Sequence, residues 1–289
     1  MRRKRLSAAL AVVPVMALAA CGSPGSASTA AAPTAHGTAS AASSGPSPGS
    51  SSGPSPGSPS QAAADLGTGK LDGLTVSVDP GHNGGNDKHP GIINKLVSAG
   101  PFKKPCNTTG TDTSSGYSEH AFTFDVATRL VAILKKEGAK VVMTRTNDTG
   151  VGPCVNERAE IANRAHANAA ISIHGDGAAA SGYGFHVIEP QLIKGYTDSI
   201  VAPSRKLGEA IRAAFHAGTG EAYSSYLGHN GLDVRDDLGG LNLSKVPAVF
   251  IECGNMRNST DAARMTSADW RQKAAEALAA GLTNYLRPS

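Results

Sequence analysis

Aromatic and charged residues are both scarce in this chain. Phe, Trp and Tyr make up 4% of its 289 residues, with a single Trp, and Asp, Glu, Lys and Arg make up 17%. So few aromatics argue against a surface built to stack nucleic-acid bases. The formal charge of +4 has a local origin: Arg2, Arg3, Lys4 and Arg5 supply the whole excess of 27 basic over 23 acidic residues. The remainder is neutral by count and carries no electrostatic footprint for nucleic acid, so no such partner is expected. The N-terminal apolar run, Leu6 to Ala20, is too short to span a bilayer comfortably. No Asp, Glu, Lys or Arg occurs from Gly22 to Ala64. The His-Glu-x-x-His and Cys-x-x-Cys patterns are also missing, so the common local zinc signatures give no guidance.

What is present at the N-terminus reads as an address. Four basic residues followed by an apolar run form a signal peptide over residues 1–20. The run ends Leu18-Ala19-Ala20-Cys21-Gly22, which resembles a bacterial lipobox. That resemblance implies acylation of Cys21 and cleavage before it; an ordinary secretory signal with an incidental thiol is the alternative. Either route places the mature protein outside the cytoplasm, and the lipobox adds an anchor on the outer face of the cytoplasmic membrane. Residues 21–68 are dominated by Ser, Gly, Ala, Pro and Thr, with Ser44-Gly45-Pro46-Ser47-Pro48-Gly49-Ser50 repeated as residues 52–58. Such a stretch buries too little apolar surface to offset its ordering entropy and reads as a tether, with a coil reach of roughly 35–40 Å. The folded domain is then 69–289.

Within that domain strand and helix patterns alternate. Leu74 to Asp79 is short and β-branched, and runs into Pro80-Gly81. Phe122, Val126, Leu130 and Leu134 recur every four residues, predicting a helix from about Glu119 to Glu137. Further strands are expected at 141–144, 170–173, 185–188, 232–234 and 248–251, and helices at about 156–167, 199–217 and 267–286. This predicts a single α/β domain with a mostly parallel or mixed central sheet and helices on both faces. In such sheets ligands favour the carboxyl ends of the strands.

Four residues fall at that edge. His82 follows the first strand, His174 ends Ile171-Ser172-Ile173, Glu252 ends Val249-Phe250-Ile251, and Glu119 opens a helix behind the loop Gly110 to Gly116. Taken singly, a histidine there can be a loop hydrogen-bonder, and a first-turn Glu can simply complement the helix dipole. Together, two imidazoles and a carboxylate suit zinc with an open fourth position, and a further carboxylate can shuttle a proton.

The segments Val78-Asp79-Pro80-Gly81-His82-Asn83-Gly84-Gly85, Glu119 at a helix start, Ser172-Ile173-His174 and Val249-Phe250-Ile251-Glu252 with Gly254 and Asn255 resemble the zinc-dependent N-acetylmuramoyl-L-alanine amidases, in that family's order and across the folded part. The resemblance implies that His82, Glu119 and His174 bind one Zn2+, that Glu252 is the catalytic carboxylate, and that the substrate is peptidoglycan. The reaction implied is hydrolysis of the amide between N-acetylmuramic acid and L-alanine. Two departures touch the substrate groove: a long 82–119 stretch containing Cys106, and Gly175-Asp176-Gly177 after His174.

Outside the cytoplasm cysteines can pair. Cys106 and Cys154 lie in loops beside Pro105 and Pro153 and are the expected disulfide; Cys253 reads as a packed thiol. A Cys nucleophile with a His82 or His174 base is a rival that leaves Glu119 and Glu252 without roles. His120 reads as structural or solvated, and His89, His166, His186 and His216 read as surface residues. Arg158 and Arg164 are expected to pair with acids on their own helix. A catalytically inactive peptidoglycan-binding lipoprotein of the same fold is the alternative function, and a monomer is the default assembly.

Overall fold

The computed structural model describes residues 69–288. The expected signal peptide, Cys21 and the tether lie outside the described residues. Six strands form the central sheet: β1 (Thr75–Pro80), β4 (Lys140–Met143), β5 (Ala169–Asp176), β6 (His186–Pro190), β7 (Leu232–Arg235) and β8 (Ala248–Asn255). Their order across the sheet is β4-β1-β5-β8-β6-β7. All neighbours are parallel except β6, which runs antiparallel to β8, so the sheet is mixed. A second, two-stranded sheet joins β2 (Leu96–Ser98) and β3 (Lys103–Pro105), with the short helix α1 (Pro90–Ile93) before it.

On one face, helix α2 (Glu119–Lys136) packs against β1, β4 and β5, and helix α4 (Val201–Thr219) against β6, β7 and β8. The fourfold repeat foreseen in α2 is its buried stripe: Phe122, Val126, Leu130 and Leu134 are all fully covered. Helix α7 (Ala268–Leu286) lies against α4 and α2, and its Ala274, Ala275 and Leu278 join the same core. On the opposite face, α3 (Val155–Arg164) and the short α5 (Gly239–Asn242) cover β1, β6 and β8. Burying a sheet on both faces requires near-continuous apolar strands, and Val249, Ile251, Ile171 and Ile173 supply them.

Several elements escape the periodicity argument. The β2–β3 hairpin and α1 fill the long stretch before Glu119 and carry exposed Ile92, Leu96 and Phe102 instead of a core stripe. Helix α6 (Ser259–Thr266) is one two-turn segment whose start is set by Asn258, whose side chain accepts from the Thr260 and Asp261 amides. Cys106 and Cys154 are joined by a disulfide with Cα atoms 4.4 Å apart, and the Val155 amide donates to the Cys106 carbonyl at 2.8 Å. The bridge fastens the end of β3 to the start of α3. Cys253 is a buried free thiol.

Two expectations are corrected. His186 is buried, not on the surface, because β6 is covered on both faces. His120 is structural, one of the two roles expected for it: its Nδ1 meets Asp148 Oδ2 at 2.7 Å. Arg158 does not pair with an acid on its own helix but crosses to Asp79 at the end of β1. Arg164 does pair with Glu160 one turn away, at 3.5 Å on the exposed face.

Candidate functional site

His82 lies two residues past the end of β1 in a left-handed backbone conformation, with φ of 58°. This is an uncommon state for a residue with a side chain, held here by its surroundings. Arg158, 6% exposed, does much of the holding. Its Nη1 donates to Asp79 Oδ1 and to the Pro80 carbonyl, both at 2.7 Å, and its Nη2 donates to the His82 carbonyl at 2.8 Å. Asp79 also accepts from Ser172 Oγ at 2.6 Å and Thr144 Oγ1 at 2.5 Å. Burial alone would raise its carboxyl, but Arg158 and the two hydroxyls outweigh burial and hold it below the usual range. On the other side of the same turn, buried Arg145 donates to the carbonyls of Pro80, Gly81 and His120 and pairs with Asp148 at 2.9 Å. Two buried guanidinium groups thus fix one loop.

The loop delivers His82 to Glu119. His82 Nε2 is 3.0 Å from Glu119 Oε1, and His174 Nδ1 is 2.9 Å from that same oxygen. The ligand atoms of His82, Glu119 and His174 all lie within 4.8 Å of one another, so the three could hold one metal ion. Glu119 is buried at the start of α2, where the helix dipole favours a carboxylate. Its Oε2 accepts from the Thr111 amide at 2.9 Å and its Oε1 from the Gly175 amide at 3.2 Å. His82 Nδ1 faces the Thr108 carbonyl at 3.0 Å, which selects the tautomer that leaves Nε2 free as a ligand. Burial would lower the His82 imidazole, but the adjacent Glu119 charge wins and raises it; the two imidazoles in turn hold Glu119 well below the usual carboxylate range against its burial.

Two glycines make room. A Cβ at Gly81 would run into the His174 ring, and one at Gly110, whose φ is +82°, would strike the Glu119 carboxylate and the His82 ring. The His174 ring is further supported by stacking on Phe250, with centroids 5.3 Å apart and planes 11° from parallel.

Glu252 sits beside His174 because β5 and β8 pair in that register. Its Oε2 is buried and has no hydrogen-bond partner among the described residues. Burial, then the nearby charges of Glu119 and Asp176, push its carboxyl well above the usual range. The four residues border one cleft of about 380 Å3, which Lys104 of β3 and Arg235 of β7 also line. That volume falls in the range of small-ligand sites. The sequence singled out all four converging residues. It missed Asp79, Arg145 and Arg158, whose signal, polar residues directly after short strands or early in a helix, does not distinguish a loop brace from a surface charge.

A cleft at the carboxyl edge of a covered sheet, with this donor set and an unpaired carboxyl beside it, defines a hydrolase on an α/β scaffold. Residues 76–284 match the family model described as N-acetylmuramoyl-L-alanine amidase. The chain is 41% identical over 232 residues to the N-acetylmuramoyl-L-alanine amidase Rv3717 of Mycobacterium tuberculosis, covering 79% of this chain and 92% of that protein. Its structure is similar to the crystal structure of the amidase Ami1 from Mycobacterium smegmatis, with a TM-score of 0.71 and 39% identity over 76% of this chain and 99% of the other. A more distant likeness, TM-score 0.57 and 26% identity, covers 76% of this chain and 99% of the amidase AmiC2 of Nostoc punctiforme. The chain belongs to the N-acetylmuramoyl-L-alanine amidase family and is an enzyme of that class.

Proposed function

We propose that the protein is a zinc-dependent peptidoglycan amidase that cuts the bond between the lactyl group of N-acetylmuramic acid and the L-alanine of the stem peptide. The observation that carries the reading is the convergence of His82, Glu119 and His174 beside the unpartnered carboxyl of Glu252. The donor set suits the ion: two imidazole nitrogens and one carboxylate oxygen are the ligands of many catalytic zinc sites, which keep one position open. When bound, zinc polarises the scissile carbonyl and makes a water acidic enough to attack near neutral pH.

The chain's own residues do the rest. Thr108 and Gly175 orient the ligands through the contacts already described. In its ionised form, which a cation held by His82, Glu119 and His174 would favour, Glu252 takes a proton from the attacking water and returns it to the nitrogen of the departing L-alanine, so the amine leaves neutral. The second oxygen of that carboxyl, Oε2, is buried.

The N-terminal reading completes the setting: export, acylation at Cys21, and a tether over residues 21–68 that holds a monomeric domain 69–289 near the wall. Tethering raises the local enzyme concentration at the polymer that the cleft would bind. Incubating the full chain with muramyl-peptide, zinc and, in a parallel sample, chelator tests the reaction. New L-alanine amino termini are expected only in the zinc sample; none in zinc-replete buffer overturns the reading. Mass spectrometry of the mature protein from membranes tests the anchor, expected as a diacylglyceryl group on an N-terminal Cys21.

A further inference from the structure

Across the cleft from the metal-ligand set, two cations are held side by side by one carboxylate. Arg235, at the end of β7, donates from Nε to Asp237 Oδ1 at 2.7 Å and from Nη2 to Oδ2 at 2.8 Å. Lys104, on β3 of the hairpin, donates from Nζ to the Asp237 carbonyl at 2.7 Å and approaches Oδ2 at 3.5 Å. The three charges sum to one net positive, in a cleft whose other charged groups near Glu252 are carboxylates. Arg235 keeps Nη1 unused among the described residues, and both side chains stay about one-third exposed, at 33% and 37%, while bordering the cleft. A clamped guanidinium loses little further freedom on meeting a ligand, which favours binding of a planar anion.

We infer that Lys104 and Arg235 form a carboxylate subsite that recognises the free α-carboxylate of the stem-peptide residue following L-alanine. The inference rests on the amidase reading. β7 is two strands from β8, about 10 Å across the sheet, and Arg235 pairs with Pro190, four residues along β6 from the His186 that pairs with Glu252. An extended dipeptide covers about 7 Å, and the long side chains of Arg235 and Lys104 that border the cleft span the rest. Lys104 reaches this place only because the β2–β3 hairpin is carried there and fastened by the Cys106–Cys154 bridge. The long stretch before Glu119 therefore builds a wall of the cleft.

The test compares two muramyl tripeptides that differ in one group, a free α-carboxylate or the isosteric carboxamide on the second stem residue. The zinc-loaded full chain is expected to favour the carboxylate by about tenfold in kcat/KM, mainly through KM, because a neutral amide cannot replace a charge-assisted pair. Arg235→Gln and, separately, Lys104→Gln should each shrink that ratio toward one, while Arg235→Lys retains part of it. Wild-type enzyme that treats the substrates alike, or Gln variants that keep the full preference, would overturn the subsite. Lys104 sits on an exposed hairpin strand, so its variant remains informative if Arg235→Gln folds poorly. Calorimetric binding of the two free tripeptides to the chain gives a readout independent of turnover. Loss of hydrolysis of both substrates with tighter carboxylate binding intact would refute the amidase reading and leave the subsite standing.

Discussion

The two halves of the sheet treat buried charge in opposite ways. In the β4–β1–β5 half every buried charge at the cleft edge is paired: Asp79 with Arg158, Arg145 with Asp148, and Glu119 with two imidazoles. In the β8–β6–β7 half three buried groups have atoms without a partner among the described residues: Glu252 Oε2, Glu189 Oε1 and both ring nitrogens of His186. There, neutrality replaces pairing. Burial lowers the His186 imidazole and raises the Glu189 carboxyl to about 7, which keeps each uncharged over a wider range of pH. The paired half is a frame that aims His82, Glu119 and His174 at one another. The unpaired half keeps its buried groups neutral, and among its members Glu252 alone opens on the cleft that His82, Glu119 and His174 border.

The sharpest way to break this contrast is at Glu252. Glu252→Gln keeps the shape and removes the proton carrier, so kcat should fall by about 10²–10⁴-fold while bound zinc, measured by elemental analysis, stays at one per chain. Normal hydrolysis by the variant would show that the unpaired carboxyl is only structural. On the paired side, Arg158→Ala leaves Asp79 buried without its cation and should cost about 3–5 kcal/mol in urea unfolding. A loss under 1 kcal/mol would mean the two halves do not differ in this respect.

The hairpin wall is fastened by the bridge between cysteines 48 residues apart. Replacing Cys106 and Cys154 by Ser should lower stability by about 2–4 kcal/mol, read from the same urea curves, with no effect of reductant on the variant. The smallest expected effect is at Glu189, which faces Arg205, Glu209 and Arg212 of α4. Its native pKa near 7 lies above the unfolded value near 4.5, so the folded state binds the extra proton between those pH values. Its contribution is full below about pH 4.5 and is lost as pH rises toward 7, by about 2–3 kcal/mol. Glu189→Gln should flatten stability between pH 5 and 8; an unchanged slope would place the proton elsewhere.

Much of the site was legible because its residues sit at the ends of short patterns. Val249-Phe250-Ile251 announces a covered strand, so the Glu252 that follows reads as a carboxylate in a demanding place. Glu119 opens a helix with a clear fourfold stripe, and a helix start in an α/β domain belongs at the sheet's edge. His186 misled because its neighbours show no alternation: all five residues of β6 are buried. Arg158 misled because its partner, Asp79, is 79 residues away in the chain. The hairpin carries no apolar stripe and depends on its disulfide and on contacts such as Asn242 Nδ2 to the Ala99 carbonyl at 2.9 Å.

By itself the sequence determined the six strands of the central sheet and its long helices, the edge of the sheet that carries chemistry, and the four residues that stand there, because periodicity and strand ends are local properties of the chain. Only the tertiary structure decided that Glu252 lies beside His174, that Arg158 and Arg145 brace the His82 turn, and that Lys104 and Arg235 share Asp237 at the cleft. Each of these depends on strand order, register and long-range hydrogen bonds, which are settled when distant segments are buried together.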